Sequence, residues 1–236
     1  MTLYIIFFVI ILAVVIFGFV AESRIHSTFT KYKSVISING KTASESARML
    51  LDKSGATDIK ILPCKGKLTD HYDPKTKTVY LSEEVINSSS ISALGISAHE
   101  VGHAIQHHEK YKPLMIRQSI CPYVNFGSWI FLPLFILGVI LASLSMSAGA
   151  WCLWIAVALY SLTTIFYLIT YPVELDASKR ALILLEETGV LTNEETSSAR
   201  IVLKSASNTY LAGLLMSIVQ LVRFALMAFS VFSEHN

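Results

Sequence analysis

Charged residues vanish from this chain over long stretches and crowd into the segments between them. Leu3 to Val20 is a run of eighteen residues without a charge, and no charged side chain occurs from Gln118 to Val173. A helix of about 20 apolar residues crosses the hydrocarbon core of a bilayer, so both stretches are long enough to span it. The second holds two crossings, about Trp129 to Met146 and about Ala150 to Tyr171, with the small residues Ser147, Ala148 and Gly149 turning between them. A fourth span runs from about Tyr210 to Phe232. Trp129, Trp151, Trp154 and Tyr171 lie near the ends of these spans, where an aromatic belt places them. The first stretch lacks the basic leader of a cleaved signal peptide and reads as an uncleaved anchor. Gln220 and Arg223 fall inside the last span, where an ionisable residue either snorkels to the interface or meets a partner or a wet cavity.

The polar segments carry other periodicities. Glu22 to Asn39 reads as a juxtamembrane connection. Thr42-Ala-Ser-Glu45 has the form of a capping box, and Gly55 is placed to end the helix it starts, so a helix is predicted from about Ala43 to Ser54. Asp58 to Leu62 and Thr76 to Ser82 are rich in strand formers and predict two or three short strands, punctuated at Gly66 and Asp73-Pro74. From Ser88 to about His108, Ile91, Leu94, Ala98, Val101 and Ile105 recur every three to four residues, the signature of an amphipathic helix that Pro113 keeps from extending far. Val173 to Thr188 predicts a further helix stopped by Gly189, and Thr192-Asn-Glu-Glu195 repeats the capping-box pattern.

The expected fold is therefore a mainly α membrane protein with about four transmembrane helices and an α+β domain containing a short β-sheet, which the H-E-x-x-H of His99 to His103 in its predicted helix marks as zincin-like. Its expected divisions are an anchor over 1–21, the α+β domain over 22–125, a transmembrane hairpin over 126–172, a helical segment over 173–208 and a last transmembrane helix over 209–236. Composition agrees: 53% of the residues are hydrophobic and 15% charged, against about a quarter charged in soluble domains. Four crossings put the α+β domain and the segment 173–208 on one side, which then holds every Lys and Arg except Arg223. The positive-inside rule assigns that side to the cytoplasm of a multi-pass protein. A net charge of +2 with scattered lysines gives no reason to expect a nucleic-acid partner. Three cysteines without a CxxC pair predict neither a disulfide framework nor a cysteine-ligated metal.

The chemistry concentrates in His99-Glu100-Val101-Gly102-His103, inside the predicted amphipathic helix. Residues four apart share a helix face, so two imidazoles can bind a single ion, expected to be one Zn2+. Glu100 is rotated by about a hundred degrees from His99, off the ligand pair yet able to reach a water on the metal and act as catalytic base. A metzincin would carry Gly three residues and His six residues after the second histidine; Gln106 and Glu109 stand there instead. Glu174 is the expected third ligand, since it begins the helix beyond the third span and shares a face with the small residues Ala177, Ser178 and Ala181. Asp176 could take its place, could orient a ligand imidazole, or could simply pair with Arg180 one turn on. His71 and Tyr72 are candidates for stabilising an oxyanion, with a plain turn histidine as the alternative. His107 and His108 sit where basic groups suit a helix C-terminus and receive no chemical role.

Several blocks together resemble one family. They are Gly66-Lys-Leu-Thr-Asp-His-Tyr-Asp-Pro74, Val79-Tyr-Leu-Ser82, Ser90 to Gly95 running into Ala98-His-Glu-Val-Gly-His-Ala-Ile-Gln106, and Pro172-Val-Glu-Leu-Asp-Ala-Ser-Lys-Arg-Ala-Leu182. On them the chain resembles the bacterial membrane zinc metallopeptidases of the YugP type, the neutral zinc metallopeptidase family. The resemblance implies a multi-pass protein of the bacterial cell membrane, one zinc ion and peptidase activity, with His99 and His103 as ligands and Glu100 as base. Gluzincin-like membrane peptidases carry an acid four residues after the ligand glutamate; Ser178 holds that position here and the nearby acid is Asp176. The expected function is endopeptidase action at the membrane surface on a peptide or membrane-protein substrate, without any sign of a particular oligomeric state. A metal-binding sensor or scaffold without turnover is the alternative, and a transporter built around Arg223 a weaker one.

Overall fold

In the computed structural model, which describes residues 2–234, the elements follow in the order α1 (Thr2–Lys33), α2 (Ala43–Lys53), β1 (Lys60–Cys64), β2 (His71–Asp73), β3 (Thr78–Ser82), α3 (Glu83–Ile86), α4 (Ile91–His108), α5 (Lys112–Ser143), α6 (Ala148–Glu187) and α7 (Asn193–Glu234). This is a mainly α membrane protein with a small α+β part. Among the described residues, four helices, α1, α5, α6 and α7, are long and apolar enough to cross a bilayer. The chain divides into two compact units: residues 1–19, 116–171 and 210–236 form one, and residues 20–115 and 172–209 the other.

The first unit is apolar inside and out. Phe8, Phe19, Trp129 and Phe229 are all more than 60% exposed, an arrangement that water penalises and lipid does not. Its interior is small: Leu153, Val157, Phe224 and Ala228 pack with Phe131, Phe135 and Tyr160, and the Phe224 ring lies 5.0 Å from Phe131 and 4.9 Å from Phe135. The Arg223 guanidinium lies over the Phe224 ring, 5.1 Å from its centroid. That contact is a cation–π pairing with a neighbour on its own helix.

The second unit has a conventional core of Leu50, Leu51, Leu81, Val85, Leu94, Val101, Leu185 and Leu191, all at most 2% exposed. The capping box of α2 forms as the sequence predicts: the Thr42 hydroxyl accepts from the Glu45 N–H at 3.3 Å, and the Glu45 carboxylate accepts from the Thr42 N–H at 2.8 Å. The three strands form one sheet in the order β1-β3-β2, with β1 parallel and β2 antiparallel to β3, so β2 is an edge strand. Lys77, with φ of 49°, closes the β2–β3 hairpin in the left-handed region.

Two boundaries differ from expectation, and one, the end of α4 at His108 ahead of Pro113, agrees with it. The polar segment after the first span is helical as far as Lys33, because Phe29 and Tyr32 are buried and the Ser92 hydroxyl donates to the Phe29 carbonyl at 2.9 Å. Pro113 lies in the first turn of α5, where its missing N–H has no helical partner to lose. Glu174 does not begin a helix: α6 continues through Pro172, and Glu174 lies well inside it.

Glu195 does more than its capping box requires. It is 8% exposed and accepts from the Thr192 N–H at 2.9 Å and from the Ile38 N–H at 2.8 Å. A buried donor left unpaired costs about 1–3 kcal/mol. Glu195→Ala is expected to lower the thermal midpoint followed by circular dichroism in detergent. An unchanged midpoint would mean that water satisfies both amides.

Candidate metal centre

α4 supplies two imidazoles and α6 one carboxylate, all within the second unit. Ser90 caps α4, its hydroxyl accepting from the Ala93 N–H at 3.3 Å, and Ile91, Leu94, Ala98, Val101 and Ile105 bury one face. Buried hydroxyls fix the helix further, the Ser97 hydroxyl donating to the Ala43 carbonyl at 2.8 Å. The packing between α4 and α6 is set by Gly102. A Cβ placed there would lie 2.5 Å from the Ala177 carbonyl oxygen, so only glycine admits this approach. Gly102 precedes His103 and Ala177 follows Glu174 by three residues, so the tightest contact falls between the two sets of polar groups.

The close approach brings one atom from each of His99, His103 and Glu174 to within 4.8 Å of one another. Glu174 Oε2 lies 3.2 Å from His99 Nε2 and 3.3 Å from His103 Nε2, and the two rings stand nearly perpendicular, 4.7 Å between centroids. Glu174 is 2% exposed. Burial pushes its carboxyl up, but the hydrogen bonds from His103 and His99 outweigh this and hold it well below the usual carboxylate range. Burial lowers His103, and the Glu174 carboxylate, with Glu100 and Gln106, more than reverses that, leaving the imidazole above its ordinary value. A cation is therefore favoured between these groups, and a metal ion bound there would displace their protons.

The outward-facing ring nitrogens are also held. His99 Nδ1 is 3.1 Å from the Ser178 hydroxyl, and His103 Nδ1 is 3.0 Å from Gln106 Oε1. Asp176 is one step further out, accepting from Gln106 Nε2 at 2.8 Å and from Arg180 Nε at 2.6 Å. Arg180 also donates to Glu109 at 2.6 Å and lies over the Tyr111 ring. Of the alternatives open for Asp176, this geometry leaves it outside the three-atom cluster and paired with Arg180. From the sequence alone Gln106 had no role in the site. Its position three residues after His103, on the same helix face, is the signal that could have found it.

Comparison with known proteins identifies the family. Residues 6–229 match the family described as "Putative neutral zinc metallopeptidase". The chain belongs to that family. A Bacillus subtilis (strain 168) protein described as "Putative membrane protease YugP" is 41% identical over 209 residues, 89% of this chain and 90% of that one. No solved structure matches the chain.

The family implies zinc, and the residues fit it. Two imidazoles and a carboxylate are the donor set of many catalytic zinc sites, and here the carboxylate is buried, ionised and aimed between the two ring nitrogens. Glu100 adjoins the cluster without belonging to it. Burial pushes its carboxyl up; the His99 and His103 imidazoles oppose that, while Glu174 and Asp70 add to it. Asp70 is held by Ser82, accepting from its N–H at 2.7 Å and its hydroxyl at 3.1 Å.

His71 and Tyr72 point to opposite faces of β2. The His71 ring is exposed and stacks on Tyr80 with centroids 5.0 Å apart. Tyr72 turns toward α4, its hydroxyl 2.9 Å from His107 Nδ1, and burial ahead of the Asp58 and Asp73 charges pushes the phenol up to about 12. His107 thus has a packing partner that its place near a helix end does not reveal. His108 is exposed.

Proposed function

We propose that this chain is a membrane-bound zinc-dependent endopeptidase, with His99, His103 and Glu174 holding one zinc ion and Glu100 acting as general base. The observation that carries the reading is the convergence of three ligand atoms from two helices to within 4.8 Å, beside a carboxylate that is not one of them. Zinc bound there supplies Lewis acidity, lowering the pKa of the attacking water and polarising the scissile carbonyl. Glu100 takes the proton released by that water on its carboxylate and passes it to the leaving amine. Burial raises the basicity of this carboxylate, which suits proton transfer near neutral pH. β2, as an edge strand, leaves backbone groups to which an extended peptide can add. The substrate is a peptide or a membrane protein. The active site lies at the membrane surface, since Glu174 is the first charged residue after the apolar stretch ending at Val173. The bias of Lys and Arg toward one set of segments favours the cytoplasmic side.

The test is zinc content per chain. The native protein is expected to hold close to one zinc, Glu174→Ala to lose it, and Asp176→Ala to retain it with weaker affinity. Metal absent from the native protein would remove the enzyme reading. Metal kept in Glu174→Ala but lost in Asp176→Ala would transfer the third ligand to Asp176.

A further inference from the structure

Gln106 is fully buried, and its amide can be oriented in only one way. Its Nε2 lies 2.9 Å from the Val173 carbonyl oxygen and 2.8 Å from Asp176 Oδ2. A carbonyl oxygen only accepts. Asp176 Oδ2 already accepts the Arg180 Nε–H at 2.6 Å, so it stands as an acceptor toward Gln106 as well. Turning the amide over would set its oxygen against both acceptors, and with Gln106 fully buried no water reaches that oxygen to repair the loss. Oε1 therefore faces His103 Nδ1, and as it too can only accept, Nδ1 must carry hydrogen. A neutral imidazole protonated at Nδ1 keeps its lone pair on Nε2, the nitrogen that faces Glu174 and His99.

We propose that Gln106 is a positioning residue that fixes the tautomer and ring orientation of His103, so that Nε2 is presented to the metal. Its own orientation is set from α6 by Asp176 and the Val173 carbonyl. Arg180 completes the device by neutralising Asp176 and reaching back to Glu109 at the end of α4. His99 is held differently. Its Nδ1 partner is the Ser178 hydroxyl, which can donate or accept and so selects no tautomer. The two ligand histidines are thus unequal: one is locked by an amide of fixed direction, the other held by an adaptable hydroxyl. This inference rests on the metal site proposed above.

The test uses the full-length protein in detergent, with zinc affinity measured by chelator competition and the visible spectrum of the cobalt-substituted protein as a report on ligand geometry. Gln106→Leu removes the acceptor at Nδ1 and is expected to weaken zinc binding by about 10- to 100-fold and to alter the cobalt bands. Ser178→Ala is expected to weaken it less. The swap Gln106→Glu with Asp176→Asn again places an acceptor at Nδ1 and a donor on the α6 side. It is expected to restore the native cobalt spectrum and most of the affinity, short of native because the Val173 carbonyl loses its donor. Native affinity and spectrum in Gln106→Leu would overturn the proposal. So would a swap variant that folds, by circular dichroism, yet binds zinc no better than Gln106→Leu. If Gln106→Leu does not fold, the swap is judged against the native protein: a near-native cobalt spectrum and affinity support the proposal, and a folded swap with altered bands and zinc binding weakened at least about 10-fold overturns it. Absence of stoichiometric zinc from the native protein would instead be a failure of the metal site itself.

Discussion

Glu100→Gln is expected to keep its zinc and lose its peptidase activity. Glutamine has nearly the shape of glutamate, so the packing beside His99 and His103 is retained, and the three atoms that converge do not include any from residue 100. What disappears is the ability to accept a proton. General bases contribute about 10²- to 10⁴-fold to rate, and a fall in kcat of at least that size is expected on an unfolded protein substrate, with zinc content unchanged. The loss belongs to kcat rather than KM, because the proton moves only as the bond is made. Zinc retained together with full activity would move the base elsewhere. Zinc lost along with activity would make Glu100 part of the ligand set.

The second large effect comes from a residue with no side chain. Gly102→Ala places a Cβ 2.5 Å from the Ala177 carbonyl oxygen and 3.1 Å from its carbonyl carbon and Cα. These are backbone atoms in the middle of α6 and cannot rotate away, so one helix must shift against the other. Overpacking of this kind costs about 1–3 kcal/mol. The shift also carries Glu174 away from His99 and His103, and a misplacement of about 1 Å is enough to cost about 10²-fold in function. Gly102→Ala is therefore expected to lower the thermal midpoint and weaken zinc binding together. Gly95→Ala on the same helix is the control. Its Cβ would meet only the Ala199 Cβ, at 3.7 Å, an ordinary contact, and alanine is favoured in helix interiors by about 1 kcal/mol over glycine. Equal behaviour of the two variants would mean that the close approach at Gly102 is not what positions the site.

Much of this protein is local, and local features are legible in a sequence. The apolar stretches become helices because a bilayer-length run of uncharged residues leaves no other way to satisfy its backbone. The capping box at Thr42 and Glu45 needs only four consecutive residues, and it forms. The apolar period from Ile91 to Ile105 predicts the buried face of α4, and with it the face that carries both histidines. Ala177, one of the small residues that share a face with Glu174 in the sequence, is where α6 meets Gly102 of α4.

What escaped the sequence depends on contacts between distant segments. The polar stretch up to Lys33 is helical because Phe29 and Tyr32 are buried and the Phe29 carbonyl meets Ser92, more than sixty residues on. Pro172 signals a helix boundary, yet the helix runs through it, and Glu174 is held inside α6 rather than at a start. The pairing of Tyr72 with His107 joins a strand to a helix across intervening chain. The bonds from Gln106 to Asp176 and from Arg180 to Glu109 also cross intervening chain, whereas the Asp176–Arg180 pair, one turn apart, is the local one the sequence offered. Spacing along one helix determines which residue types can share an ion, because a helix has a fixed period. Which carboxylate completes the set, and which groups hold the imidazoles, is decided by the packing of α4 against α6, because His103 and Glu174 are 71 residues apart and a helix period fixes nothing over that separation.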